Sequence, residues 1–206
     1  GASSIVCHLR EDRRHIQDRD ARRLKEAIRT RLNLEMSIAP EIVEVALTIQ
    51  PAQVTLVPER RQELTTEGGL DVVRLTRRLR PFVARFHAAG IEVSLFVDPD
   101  AAQVDASRSV GARIVELHTG RYAGAGTTAQ RDRELTALRH AAKHAASLGL
   151  VVAAGHGLDY DNIEPIIAIS RLEEVNIGFS IISRAVFIGL EQAVKEMVAH
   201  LAKRKS

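Results

Sequence analysis

Short apolar runs alternate along this chain with longer stretches in which apolar residues recur every three or four positions. The runs Ser4–Leu9, Leu32–Met36, Gln53–Val57, Glu92–Val97, Arg113–His118, Leu150–Ala154 and Glu174–Ile177 read as strands. Their Val, Ile and Leu content suits parallel strands buried on both faces. Helical patterns lie between them. Asp18–Thr30 sets Leu24 and Ile28 four residues apart, and Pro40–Ile49 opens on a proline suited to a first helical turn. Leu70–Ala89 and Thr127–Leu148 each run into a glycine, Gly90 and Gly149, of the kind that ends a helix. A last helix is expected from about Ser183 towards Lys203, finishing in a basic tail.

Strand followed by helix, repeated along the whole chain, argues for an α/β fold with a parallel sheet. An open doubly wound sheet and a closed barrel both satisfy that pattern. The regular repeat, and the lack of a Gly-rich dinucleotide fingerprint after the first strand, favour a TIM-type (β/α)₈ barrel in one domain over residues 1–206. A barrel of this class uses eight strands, and seven βα units are visible here. The expectation is therefore a barrel that lacks one unit and exposes two sheet edges.

Composition narrows the function. Of the 206 residues, 45% are hydrophobic and 27% charged, which leaves room for a real core and excludes wholesale disorder. Aromatics make up 3%, so the core must be aliphatic. No apolar run is long enough to span a membrane, and no signal-peptide pattern occurs. With a single cysteine, Cys7, set in an apolar run, a buried unreactive thiol and a cytoplasmic setting are expected. The net charge is +3, and the basic residues gather in Arg10–Arg31 and Arg74–Arg85. They recur at helical spacing with a lone aromatic, Phe82, among them, which points to solvated helix faces and away from a nucleic-acid partner.

In such barrels the chemistry sits where strands end. His8 closes the first strand, Glu35 interrupts the second and Glu116 the fifth. Gly155-His156-Gly157 follows the sixth, and Gly178 follows the seventh. A carboxylate facing a barrel interior costs several kcal/mol unless it is paired or neutral. Either each glutamate meets an Arg or Lys, or it belongs to a site. Two imidazoles and two carboxylates at one mouth suit proton transfer in several steps. The loop after the third strand is long and carries Thr65, Thr66, Gly68 and Gly69, which could hold a phosphate or form a lid. The glycines after the last strands would let backbone N–H groups approach an anion. No metal is expected, because the strand-end histidines His8 and His156 lack ligand spacing and Cys7 points away from His8 on a strand.

Several blocks are longer and more unusual than such arguments require. His8-Leu9-Arg10-Glu11-Asp12-Arg13-Arg14-His15-Ile16, Asn33-Leu34-Glu35-Met36, Val57-Pro58-Glu59, Leu64-Thr65-Thr66-Glu67-Gly68-Gly69-Leu70-Asp71, Glu116-Leu117-His118-Thr119-Gly120 and Ala154-Gly155-His156-Gly157-Leu158 closely resemble the pyridoxine 5′-phosphate synthase family. The resemblance implies a TIM barrel that condenses 1-deoxy-D-xylulose 5-phosphate with 3-amino-2-oxopropyl phosphate. Pyridoxine 5′-phosphate, phosphate and water result, with no metal or organic cofactor. It implies phosphorylated small molecules as substrates and a homo-oligomer, an octamer. By matching motif, His8 resembles the proton acceptor, Glu35 a second acid–base residue and His156 the proton donor. Arg10, His15, Thr65 and Gly157 match substrate-contacting positions, Gly178 a phosphate-contacting glycine, and Glu116 an assisting group. Two departures stand out: Phe179 follows Gly178 where the family carries His, and the family's first βα unit has no counterpart. The alternative is a catalytically inactive barrel remnant or a fragment of such an enzyme.

Overall fold

The structure, a computed structural model, describes residues 1–63, 65 and 68–202. Leu64, Thr66 and Glu67 of the third-loop motif, and the basic tail from Lys203, lie outside the described residues. Seven strands follow the chain: β1 (Ser4–His8), β2 (Arg31–Met36), β3 (Gln53–Leu56), β4 (Glu92–Val97), β5 (Ile114–His118), β6 (Val151–Gly155) and β7 (Leu172–Asn176). They form one sheet in sequence order, and every neighbouring pair is parallel. β1 and β7 are the two ends of that order, so the sheet curls as a barrel wall with both edges open, as the strand count predicts.

Helices α1 (Asp18–Ala27), α2 (Pro40–Ile49), α3 (Val72–Ala88), α4 (Ala101–Ser109), α5 (Gly120–Ala123), α6 (Thr128–Ser147), α7 (Ile163–Ile167), α8 (Phe179–Ile188) and α9 (Leu190–Ala202) fill the crossovers and the C-terminal end. Their limits follow local chemistry. Asp71 caps α3 through the Arg74 N–H at 3.1 Å, and Thr127 caps α6 through that of Gln130 at 3.2 Å. Gly90 and Gly149 take φ of +75° and +74° just beyond α3 and α6, as the sequence pattern requires. Helix α4 was not apparent in the hydrophobic pattern, because its buried residues include Gln103 and Ser107 as well as Val104. The Asp100 carboxylate fixes its start by accepting from the N–H groups of Ala102 and Gln103.

The single last helix expected from Ser183 is two. Gly189, at φ +83°, breaks it, and α8 starts earlier, at Phe179. Helix α8 buries no residue; Phe179, Ile182, Val186, Phe187 and Leu190 form an apolar stripe open to water.

Strand side chains alternate between two sides, and the two sides differ in kind. One side carries Leu34 and Met36, Val54 and Leu56, Val93, Leu95 and Val97, Val115 and Leu117, then Val152 and Ala154; all are buried in the core that includes residues of α2, α3, α4 and α6. The other carries Asn33 and Glu35, Gln53 and Thr55, Ser94 and Phe96, Glu116, Ala153 and Gly155, then Glu174 and Asn176. Asn33, Thr55, Ser94 and Glu116 are as buried as the aliphatic set. The Thr55 hydroxyl donates to Asn33 Oδ1 at 2.9 Å, and Arg31 donates to Gln53 Oε1 at 2.8 Å. The apolar core thus lies between sheet and helices, and the concave side of the sheet is polar, unlike the doubly apolar strands that composition suggested.

This division gives a first prediction. Leu34→Ala removes a fully buried side chain from the sheet–helix layer and should lower the unfolding free energy by about 2–5 kcal/mol in urea titration.

Candidate active site

Pleat and register assemble the site. His8 and Glu35 are register partners on β1 and β2, Phe96 and Glu116 on β4 and β5, and His118 and Gly155 on β5 and β6. These C-terminal strand positions all lie on the polar side.

His8 is held from the β3–α3 loop. Its Nε2 lies 2.9 Å from Glu59 Oε1, and the other oxygen of that buried carboxylate accepts the Glu11 N–H at 2.9 Å. With Nε2 donating to Glu59, Nδ1 is the accepting nitrogen of the neutral ring. Burial pushes the Glu35 carboxyl above the ordinary carboxylate range, and attraction to His8 partly offsets this. Glu116 goes further. Full burial, then repulsion from Glu35, push it up to about 8, although Asn176 Nδ2 donates to Oε2 at 2.8 Å. Its other oxygen explains Gly155: a Cβ there would sit 2.2 Å from Glu116 Oε1. Among the described residues, neither Glu35 nor Glu116 has an Arg or Lys ion-pair partner, so the structural alternative raised by the sequence is not the arrangement found.

His156 follows β6 with a backbone φ of +85°, a region costly for a residue with a side chain, and Gly157 follows at +75°. Thr119 fixes this turn, its hydroxyl lying 2.6 Å from the carbonyl oxygens of both Gly155 and His156. A Cβ on Gly157 would meet that of Ala123 at 2.8 Å. Burial, then the neighbouring His118, lower the proton affinity of His156. A cavity of about 710 Å³ opens here, lined by His118, Gly120, Arg121, Arg133, His156 and Gly157 among others.

The remaining candidates fall unevenly. Thr65 reaches the same mouth, its hydroxyl bonded to the Asp98 carboxylate. Gly178 precedes α8, where no atom would obstruct an added Cβ, and the Ser180 hydroxyl ties α8 to the Leu158 carbonyl at 2.9 Å. Arg10 is committed to Asp12 at 2.9 Å and 3.2 Å, and His15 is exposed. Phe179 is 89% exposed. Cys7 is partly buried against the core, and burial, then Glu35, raise its thiol to about 11, in line with an unreactive group. Glu59, Asp98, His118 and Asn176 were not singled out by sequence reasoning. The available signal was their place at strand ends or in the quoted blocks.

The curled parallel sheet, with acids and imidazoles gathered at the carboxyl ends of its strands, defines a (β/α)-barrel of the enzyme type. Similarity makes it particular. The chain belongs to the family described as pyridoxal phosphate biosynthesis protein PdxJ, which it matches over residues 1–203. It is 58% identical over 197 residues to the pyridoxine 5′-phosphate synthase of a Synechococcus species, covering 96% of this chain and 82% of that protein. It is 54% identical over 198 residues to the enzyme of that name from Pelodictyon phaeoclathratiforme, covering 96% and 84%. In shape it is similar to a chain in the crystal structure of the Amycolatopsis orientalis BexX/CysO complex. The TM-score is 0.65 at 12% identity, over 99% of this chain and 81% of that one, a likeness of fold alone. No helix among the described residues is long and apolar enough to cross a membrane.

The raised Glu116 pKa fixes a sign. The folded chain keeps this proton up to about pH 8, while the unfolded chain releases it near its ordinary value of 4.5. Unfolding is therefore favoured progressively as pH rises through that window. Glu116→Gln should flatten the stability profile, losing less than the unmodified chain between about pH 5 and about pH 8 in urea titrations.

Proposed function

We propose that this chain carries the catalytic machinery of a pyridoxine 5′-phosphate synthase, joining 1-deoxy-D-xylulose 5-phosphate to 3-amino-2-oxopropyl phosphate with loss of phosphate and water. One observation carries the reading beyond family membership: His8 and Glu35 stand side by side in register, with Glu59 fixing the imidazole and burial raising the proton affinity of the carboxyl. Such a pair can take a proton from one substrate atom and return it to another. His8 acts as the proton acceptor, Glu35 as the second acid–base group and His156 as the donor, at the far side of the mouth. Glu116, protonated near neutral pH, assists as a neutral hydrogen-bond donor.

Two phosphorylated substrates call for two anion sites. Gly178, with open space before α8, and the backbone of Gly157 serve one, and Arg10, His15 and Thr65 supply the side chains for the other. Phe179 supplies no side-chain donor, so a phosphate at α8 relies on backbone N–H groups. The reading extends to a cytoplasmic enzyme without metal or organic cofactor, assembled as a homo-oligomer, an octamer.

A second reading takes this chain, with β1 and β7 unpaired at the sheet edges, as an inactive barrel remnant or a fragment of such an enzyme. An assay of pyridoxine 5′-phosphate formation and phosphate release from both substrates separates the two. Under the first reading the chain turns over, and Glu35→Gln and His156→Gln each cut the rate by about 10²- to 10⁴-fold. Full activity in either variant would remove these role assignments. Turnover that arises only when a strand–helix unit of the family's N-terminal type is added would assign the loss to the open edge.

A further inference from the structure

Asp98, just beyond β4, is buried, and its carboxylate accepts from three directions. His118 Nδ1 on β5 lies 3.3 Å from Oδ1, the Gly69 N–H donates to Oδ1 at 3.2 Å, and the Thr65 hydroxyl bonds to Oδ2. His118 is in turn walled in. Its ring meets Phe96 edge-on at 4.9 Å and His156 edge-on at 5.0 Å between centroids. A Cβ on Gly120 would lie 2.6 Å from His118 Nε2 and 3.1 Å from His156 Cδ2, and one on Gly68 would lie 3.3 Å from His118 Cε1. Any side chain at Gly120 would push the two imidazoles apart. His156 itself is reached by an aromatic wall, with Phe96 at 6.4 Å behind His118.

We propose that Asp98 and His118 are a positioning pair, which fixes the ring of His156 and couples its setting to the contacts of Thr65 and Gly69 with Asp98. With Nδ1–H donated to Asp98, the Nε2 of His118 is the accepting nitrogen on the side of Gly120 and the cavity. Burial first, and then His118 beside it, lower the proton affinity of His156, and Asp98 holds His118 in the place from which it acts. Three hydrogen bonds outweigh the effect of burial and hold the Asp98 carboxyl below the ordinary range, so the pair keeps its anion. The other charged groups at this cavity are Arg121 on α5 with Arg133 and Glu134 on α6; Arg121 is paired with Glu134 at 2.9 Å. Thr65 and Gly69 link the loop to the same carboxylate, so a substrate that draws Thr65 away from Asp98 changes the setting of His118, and through it of His156. The idea rests on His156 as the proton donor.

The test uses the free chain with ¹⁵N-labelled histidine and no substrate, so an inactive chain in the synthase assay does not affect it. Ring resonances are assigned with His156→Gln and His118→Gln and followed against pH. The unmodified chain should show His118 as the Nδ1–H tautomer. His118→Gln should raise the His156 midpoint by about half a pH unit or more. Asp98→Asn should weaken the tautomer preference of His118 while leaving the far His144 resonance in place. An Nε2–H tautomer in the unmodified chain would overturn the pairing without any variant. A His156 midpoint unmoved in a folded His118→Gln chain would reduce His118 to a packing residue.

Discussion

Side-chain alternation across strands that stay in register, save for one shift between β6 and β7 at Val152/Ala153, governs the rest of this molecule. Once Leu34 is committed to the apolar layer, Glu35 must face the concave side, and its register partners His8 and Thr55 must face it too. The same parity carries on through Ser94, Phe96, Glu116, Gly155 and Asn176. A slip of one residue in any strand would bury its polar set among leucines and valines and turn its aliphatic set to the mouth. Burial between sheet and helices therefore stabilises the fold and, by the same pairing, lines up the acids and imidazoles.

That arrangement has an electrostatic cost, and the cost is what makes the carboxyls useful. Glu35, Glu116 and Glu174 share one concave surface with few cations, and burial is the first cause of the upward shift in all three. Arg31 reaches Glu174 at 3.9 Å, and Asn176 gives Glu116 a neutral donor. Each proton-handling group is set by a neighbour of a different kind: Glu59 directs a nitrogen of His8, Asn176 bonds one oxygen of Glu116, and His118 confronts His156.

Much of this was legible in the chain. The strand runs appear within one or two residues of their positions, because aliphatic runs bounded by polar segments leave little choice. Glu35 and Glu116 stood out as charges inside such runs, and His8 and His156 as strand-end imidazoles. The polar concave surface was less visible, since Asn33, Thr55 and Ser94 each look like ordinary strand residues until the register stacks them. Helix α4 was hidden by its polar buried residues, and the break at Gly189 by an apolar pattern that continues past it. Glu59 and His118 stood in the quoted blocks and Asp98 just past a strand run, but none could be assigned, because each acts through a partner 20 or 51 positions away in sequence.

The turn at His156 shows what the site costs the fold. A left-handed backbone is natural to glycine, and a histidine there stores on the order of 1–3 kcal/mol that the surrounding turn must hold in place. A glycine at that position would relax the chain and delete the imidazole in one step. Stability and chemistry pull this residue in opposite directions, so selection for a hardier protein alone would erode the site first where its backbone is least comfortable.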